Sequence, residues 1–408
     1  MRLELLPLVA MMVGLAAYAV FGGADFGVGF WQLTAGRGKR ADAIREHAQH
    51  AIATVWEANH VWLIFVLTVC WTAYPVAFSS IASTLAIPLF VAAVGIVIRG
   101  TTYVLRDLPS NLVTHRLLGT VFSLSSLLTP FSLGTIVGAI AAGRVPVGNA
   151  RGDLVTSWLN PTAIAIGLLS VITAAFLAAV FLTADADRTA PDLVEPFRRR
   201  ALASGVVAGI AALAGLLVVR THVPSLWSGL TGGAGLAAVV LSAVSGLATI
   251  LLLATRRYGP ARLAAAIAVA GVVAGWPLAQ RPRFLPGLTI AEAAASRATL
   301  VGLMIAIAAG ALVLFPSLAL LFRLLLRGAF DVSGTDVPQP AGPPAPRAAD
   351  RGRRVVGTCT VIAAVAAAVV IVFDPGWITA LGLAGLGLAA VIAFTVISID
   401  LIVDSTRS

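Results

Sequence analysis

Long apolar runs bounded by charged residues, prolines or glycines dominate the chain. A helix that spans a bilayer needs about 20 mostly apolar residues. The pattern predicts eleven such runs, which lie near 5–32, 48–73, 76–105, 116–142, 156–183, 201–220, 229–254, 261–279, 296–323, 354–373 and 377–402. The predicted fold class is therefore all-α, a polytopic transmembrane helical bundle.

A polar stretch rich in proline and alanine divides these runs into two groups. Residues 328–353 have no apolar period, and such a composition is typical of a flexible linker. We therefore predict a nine-span body over 1–327, this linker, and an additional two-helix hairpin over 354–408. The turn of the hairpin is expected at Asp374-Pro375-Gly376, where proline and glycine both disfavour a continuing helix.

Composition agrees with a membrane protein and excludes most other classes. Hydrophobic residues make up 59% of the 408 residues and charged ones 11%, with a mean hydropathy of +0.96. The net charge of +10 comes from short Lys and Arg clusters between the apolar runs, which argues against a nucleic-acid-binding face. Cytoplasmic loops collect Lys and Arg. Twenty such residues fall on one side and seven on the other, which predicts an outside N-terminus and a cytoplasmic C-terminus.

Three charged residues lie well inside predicted spans, where an unpaired charge costs at least about 2.5 kcal/mol. Asp25 and Arg99 each lie six residues before the cytoplasmic end of their span, roughly 9 Å deep at 1.5 Å per residue. Glu57 lies roughly 13 Å from the same face. For Asp25 with Arg99, an interhelical ion pair and a direct role in proton movement both stay open. The glycines at 22–29 indicate close helix packing around the acid.

The second predicted span combines acidic, histidine and aromatic residues. On one continuous helix, His50, Glu57 and His60 would share a face, and Trp56 and Asn59 would form an adjacent stripe. A polar face of this kind should turn to another helix, a cofactor or water rather than to lipid. Three interpretations are open: an interhelical hydrogen bond, proton transfer, and haem ligation by His60.

Other chemistry is not indicated by the sequence. We find no Ser-His-Asp arrangement, no His-Glu-x-x-His motif and no cysteine-rich metal site, and we predict neither a catalytic nor a metal-ligating residue in this chain. Cys70 and Cys359 are interpreted as packing residues.

The chain resembles the second subunit of cytochrome bd-type quinol oxidases. The matching segments, in chain order, are Gly23-Ala24-Asp25-Phe26-Gly27-Val28-Gly29, Trp56-Glu57-Ala58-Asn59-His60-Val61-Trp62, Tyr74-Pro75, Arg99, and Phe284-Leu285-Pro286-Gly287-Leu288-Thr289-Ile290 followed by Ala293-Ala294-Ala295-Ser296. Their order over residues 1 to about 330 is more specific than any single motif.

The resemblance implies a two-subunit complex of the bacterial plasma membrane that oxidises quinol and reduces dioxygen to water in the respiratory chain. It places two b-type haems and one d-type haem in the partner, subunit I, with quinone and membrane lipid as further partners. It also implies a proton route through Glu57, Asp25, His60 and His50, which Arg99, Trp56 and Asn59 would support structurally or electrostatically.

Three features depart from the family pattern. Glu57 stands where the family usually has aspartate, and His60 where it often has glutamine. The hairpin over 354–402 is additional, and it could dock on the body, replace a small accessory subunit or bind outside the complex. A proton-coupled secondary transporter and a pure assembly scaffold are the alternative functions. Many secondary transporters consist of two similar halves, and the sequence shows no such internal repeat, which disfavours the transporter.

Overall fold

A computed structural model describes the backbone of residues 3–51, 56–105 and 112–326. Within these ranges, side chains are described except at 50, 56–58, 112–116 and 313–326. The predicted linker over 328–353 and hairpin over 354–408 lie outside the described residues, and both stay predictions.

The described chain is helical apart from one short β-hairpin. The first span contains a 3-10 turn at Leu3–Leu5, helix α1 at Leu6–Ala17, a π-helical segment at Tyr18–Gly22 and helix α2 at Gly23–Leu33. The helices that follow are α3 (Lys39–His50), α4 (Trp56–Ala73), α5 (Pro75–Thr84), α6 (Ala86–Leu105), α7 (Leu112–Ala141), α8 (Pro161–Thr189), α9 (Pro191–His222), α10 (Pro224–Leu230), α11 (Gly233–Ala254), α12 (Tyr258–Gln280), α13 (Ile290–Ala293) and α14 (Arg297–Leu326). Strands β1 (Arg283–Leu285) and β2 (Leu288–Thr289) pair antiparallel between α12 and α13.

Among the described residues, seven helical segments are long and apolar enough to cross a bilayer. They are Leu3–Leu33, Ala86–Leu105, Leu117–Ala141, Pro161–Thr189, Pro191–His222, Gly233–Ala254 and Tyr258–Gln280, with shorter apolar helices at Asn59–Ala73 and Arg297–Leu312. The predicted all-α polytopic membrane bundle is confirmed. Each apolar run predicted within 1–327 overlaps one of these helices.

The run predicted at 48–73 is not one helix. Helix α3 ends at His50, and α4 begins at Trp56. Ala41, Ile44 and Ala48 form a buried stripe along α3, while the other side of this helix is polar. An amphipathic helix of this kind suits the membrane surface rather than its interior. The prediction of a span that begins at 48 is therefore wrong, because α3 ends at His50 and the apolar helix of this run lies in α4.

The run predicted at 76–105 is also divided, into α5 and α6. Pro75 opens α5, because proline lacks an N–H that the first turn does not need. The helix ends before Leu85, whose φ of −104° and ψ of 29° leave the helical region. The hydroxyls of Ser80 and Ser83 each accept a hydrogen bond of 2.9 Å from a backbone N–H of the loop between α7 and α8. Helix α5 is thus tied to that loop, and α6 is the apolar spanning part.

Helix α2 lies in the interior of the described bundle, where it packs on α7 and α8. Its residues Val28 and Trp31 belong to a core cluster with Leu177 of α8 and Phe197 of α9. On the outer faces, Leu213 and Leu251 are 69% and 66% exposed. Exposed leucines along spanning helices are the surface that lipid chains cover.

The β-hairpin joins the later part of the chain to the start of α5. The N–H of Ala295 donates to the carbonyl of Ala73 at 2.8 Å. The hydroxyl of Tyr74 donates to the carbonyl of Glu4 at 2.6 Å, and its ring centroid lies 5.0 Å from that of Phe284. Gly287 turns the hairpin with a φ of +74°, a region in which residues with a Cβ are strained. These contacts hold three separate segments together at one end of the bundle.

Candidate functional site

Asp25 of α2 and Arg99 of α6 form a buried ion pair. Each residue is 2% exposed. The Nη1 atom of Arg99 donates to Oδ2 of Asp25 at 2.8 Å, and Nη2 donates to Oδ1 at 2.7 Å. Two parallel hydrogen bonds between a guanidinium and a carboxylate are the strongest form of such a pair. The interhelical ion pair that the sequence left open is therefore present, and it is bidentate.

The Arg99 guanidinium has further polar and aromatic contacts. Its Nε donates to the hydroxyl oxygen of Ser126 at 3.0 Å, and Nη2 donates to the Asp25 carbonyl at 3.2 Å. The rings of Phe26 and Phe122 lie 4.9 and 4.6 Å from the guanidinium carbon. Aromatic faces attract a cation at this distance. Neither Ser126 nor Phe122 was predicted for the site. The serines at 123–126 inside an otherwise apolar run were the available signal.

Small residues allow α2 to approach its neighbours closely enough for this pair to form. A Cβ at Gly27 would collide with the carbonyl of Ala174 on α8. A Cβ at Gly29 would collide with the side chain of Ser126 on α7, and one at Gly95 would collide with the hydroxyl of Thr129. The close packing predicted around Asp25 is confirmed at Gly27 and Gly29.

Helix α4 brings two polar residues to the same place. The amide of Asn59, which is 2% exposed, donates to the Phe21 carbonyl at 3.3 Å. That carbonyl lies in the π-helical segment, and π-helical turns shift the helical hydrogen-bond ladder and are frequent at functional sites. His60 lies within electrostatic reach of Asp25. The structure thus places two of the predicted residues, Asn59 and His60, beside the Asp25–Arg99 pair.

Tyr18, at the start of the π-helical segment, was not predicted to belong to the site. Its side chain is 5% exposed and lies within electrostatic reach of Asp25 and Arg99. Among the described residues, its hydroxyl has no hydrogen-bond partner, although its ring packs edge-on to Phe26 at 6.4 Å. Buried hydroxyls are normally bonded to protein or to ordered water. A tyrosine in the middle of an apolar run gives little signal from sequence alone, because tyrosine is also a common packing residue.

Three predicted residues have side chains outside the described residues: Glu57, His50 and Trp56. Glu57 and His60 lie three positions apart on α4, so the backbone keeps them on neighbouring positions of one helix face. The argument that placed His50 on that face depended on one continuous helix over 48–73. Because α3 ends at His50, that argument no longer holds, and the role of His50 stays a prediction.

Histidines with described side chains are bonded or positioned by other polar groups. The Nε2 of His47 lies 3.3 Å from a carboxylate oxygen of Asp185, and the Nδ1 of His222 lies 2.8 Å from the Thr221 hydroxyl. His60 lies beside Asp25. Among the described residues, no group of three or more His, Cys, Asp or Glu side chains could hold a metal ion.

Comparisons with known proteins agree on one assignment. The family model described as cytochrome bd terminal oxidase subunit II matches residues 3–325. A chain from the structure of bd oxidase from Geobacillus thermodenitrificans is 26% identical and superimposes with a TM-score of 0.66. The match covers 80% of this chain and 99% of that chain. A search of curated proteins finds no similar sequence. The residues from 326 onward, which include the predicted hairpin, lie beyond the family match.

Proposed function

The chain belongs to the cytochrome bd terminal oxidase subunit II family, and on this premise we propose that it is the non-haem subunit of a two-subunit quinol oxidase. Family membership makes it part of an oxidoreductase complex, and its apolar helices make it a multi-pass membrane protein. The proposed complex oxidises quinol and reduces dioxygen to water. The family match supports this reading over the proton-coupled transporter considered from the sequence.

We assign the haems of the complex, two b-type and one d-type, to the partner chain, subunit I. Bound there, they supply electron transfer and oxygen reduction. The polar groups of this chain support that division of labour, because Arg99 holds both carboxylate oxygens of Asp25. Asn59 is bonded to a backbone carbonyl. A cluster whose groups bond to one another in this way suits electrostatic and proton-handling roles.

Making water consumes protons, and a reaction centre inside a low-dielectric membrane needs polar groups to deliver them. We propose that Glu57 takes up and passes these protons, with His60, Asp25 and His50 along the route. Both carboxylate oxygens of Asp25 accept hydrogen bonds from Arg99, so Asp25 contributes to the route as a charge held in a fixed position. The Asp25–Arg99 pair therefore sets the local field, while Glu57, one helical turn before His60, is the mobile carrier.

Asn59 and Trp56 have positioning roles in this proposal. Asn59 fixes α4 against the π-helical segment through the Phe21 carbonyl, which holds His60 near Asp25. Trp56 precedes Glu57 on the same helix and is our expected packing contact for the partner chain. Neither residue needs to exchange a proton.

The proposed route begins on the cytoplasmic side of the bacterial plasma membrane. The excess of Lys and Arg on one side supports an outside N-terminus and a cytoplasmic C-terminus. Asp25 and Arg99 both lie toward the Arg-rich ends of their spans, so protons from the cytoplasm need to cross only part of the membrane to reach them.

The deciding experiment replaces Glu57 by glutamine in the assembled complex. We expect Glu57→Gln to slow oxygen consumption by about tenfold or more, since the amide cannot carry the proton, while haem absorbance stays at the wild-type level. Glu4→Gln makes the same chemical change near the opposite end of the first span, and it should leave turnover unchanged.

Two other results would overturn the proposal. Unchanged oxygen consumption in Glu57→Gln would mean that the protons take another route. Loss of the haem spectrum together with activity would indicate a scaffold in which Glu57 only stabilises the assembly. If the chain purified in mild detergent were a colourless monomer, and if the same chain in sealed lipid vesicles took up solute together with protons, the transporter would replace the oxidase.

A further inference from the structure

Arg200 of α9 is a half-buried cation that pairs with no described carboxylate. Its guanidinium carbon lies 5.5 Å from the Trp31 ring and 5.8 Å from the Phe197 ring. Its Nη1 atom is buried and has no hydrogen-bond partner among the described residues. A buried guanidinium N–H without an acceptor is costly. The site therefore calls for an acceptor from outside the described chain.

The charged residues near Arg200 do not supply the missing hydrogen-bond acceptor. Arg40, exposed on α3, lies within electrostatic reach of Arg200. Two carboxylates of this region are bound to other arginines: Glu195 binds Arg198 and Arg199, and Asp42 binds Arg45. Two arginines within electrostatic reach of each other favour an anion between them, since it reduces their mutual repulsion.

The surface that follows Arg200 on α9 is apolar and exposed. Residues three, seven, ten and fourteen positions after Arg200 share one side of the helix with it. They are Ala203, Val207, Ile210 and Ala214, all of which are exposed, with Val207 at 49% and Ile210 at 62%. A cation at the top of an apolar stripe matches the shape of a phospholipid, which has a phosphate above its acyl chains.

We propose that Arg200 and Arg40 bind the phosphate of an anionic phospholipid whose acyl chains lie along this stripe of α9. Arginine suits the role, because its planar fork binds phosphate oxygens while its face stays stacked on aromatic rings. Basic pockets between spanning helices are known recognition sites for anionic headgroups. Trp31 and Phe197 are core residues, so the bound headgroup would join α9 to α2 and α3.

The test uses the chain purified in mild detergent with the chains that co-purify, after removal of lipid. Phosphatidylglycerol, phosphatidylcholine and inorganic phosphate are titrated separately, and the midpoint of thermal unfolding is recorded. We expect phosphatidylglycerol to raise the midpoint of the wild type at the lowest concentration. Arg200→Gln should weaken this response about tenfold, as expected when one charge-assisted hydrogen bond is lost.

Arg199→Gln is the matched control. It removes the same charge one residue away, from a side chain that is 78% exposed and bound to Glu195, and should respond like the wild type. Arg200→Lys keeps the charge but not the fork and should give an intermediate response, so the test survives if Arg200→Gln does not fold.

Each contrary outcome has a definite meaning. An equal response of Arg200→Gln and the wild type to phosphatidylglycerol would overturn the proposal. Full stabilisation by inorganic phosphate, with nothing added by phospholipid, would keep the anion site and overturn the lipid as its occupant. Loss of the partner chain from Arg200→Gln, with no effect of lipid on the wild type, would show that the missing acceptor belongs to the partner.

Discussion

Arg99 of α6 donates two hydrogen bonds, of 2.7 and 2.8 Å, to the carboxylate of Asp25 on α2, and both side chains are 2% exposed. The two residues are 74 positions apart in the sequence. Their pairing joins the first span to α6 at a depth where either charge alone would be costly. The pair therefore contributes to the packing of the bundle as well as to the field around Glu57.

We expect loss of one partner to cost more than loss of both. Asp25→Ala leaves the Arg99 charge buried without its carboxylate, which should lower the free energy of unfolding by about 3–5 kcal/mol. Replacing both residues, as in Asp25→Ala with Arg99→Met, removes the uncompensated charge. The double variant should therefore be more stable than Asp25→Ala, as measured by thermal unfolding of the purified complex.

Turnover separates the two functions of the pair. The double variant should assemble yet consume oxygen slowly, because the field that we propose around Glu57 is lost. A double variant no more stable than Asp25→Ala would show that the site tolerates a lone Arg99, and full activity of the double variant would place the proton route away from Asp25.

The proximity of Asp25 and Arg99 could be predicted from the sequence, because the depth of a residue in the membrane follows from its position along a spanning helix. A rise of 1.5 Å per residue puts Asp25 and Arg99 at the same depth, since each lies six residues before the cytoplasmic end of its span. The other contacts of Arg99, such as the one with Ser126, could not be predicted in this way. Whether Ser126 or a neighbouring serine faces Arg99 depends on the rotation of α7 about its axis, which the even distribution of apolar residues on that helix does not determine.

The errors have different origins. The interruption after His50 occurs without proline or glycine, and it follows α3, whose polar side suits the membrane surface. The interruption at Leu85 is followed by Pro88, which has no N–H to donate to the Thr84 carbonyl, so the sequence did carry a signal for this break. Arg200 was counted only as part of the orientation signal, since its isolation from carboxylates is visible only in three dimensions.

Close packing of α2 on α8 should make Gly27 intolerant of a side chain. In Gly27→Ala the new methyl group meets the backbone carbonyl of Ala174, which cannot rotate away. We expect a loss of about 3 kcal/mol in unfolding free energy from this overpacking. Gly209→Ala is the control, because a Cβ there meets nothing within 4 Å. It should be neutral or stabilising by up to about 1 kcal/mol through helix propensity. Equal thermal midpoints for the two variants would contradict the packing described for α2.

Two buried tyrosines should respond differently to loss of the hydroxyl. Tyr74→Phe removes a hydrogen bond of 2.6 Å to the Glu4 carbonyl and should cost about 1 kcal/mol. Tyr18→Phe removes a hydroxyl without a partner among the described residues, so stability should be unchanged or slightly higher. Thermal unfolding of both variants in the same detergent makes the comparison. A larger loss for Tyr18→Phe than for Tyr74→Phe would mean that the Tyr18 hydroxyl has a strong partner after all.

The short helix α13 should lose stability in acid through Glu292. The backbone N–H and the hydroxyl of Thr289 each donate to this carboxylate at 2.8 Å, and these bonds hold the pKa of Glu292 below its ordinary value of 4.5. A group with a lowered folded pKa stabilises the fold fully above its unfolded pKa, and the contribution disappears as the pH falls through the folded pKa. Protection of the amides at 289–293 from hydrogen exchange should therefore decrease as the pH is lowered from about 4.5. In Glu292→Gln this dependence should vanish, because the amide does not titrate. An identical pH profile in the variant would mean that another acid controls this end of the bundle.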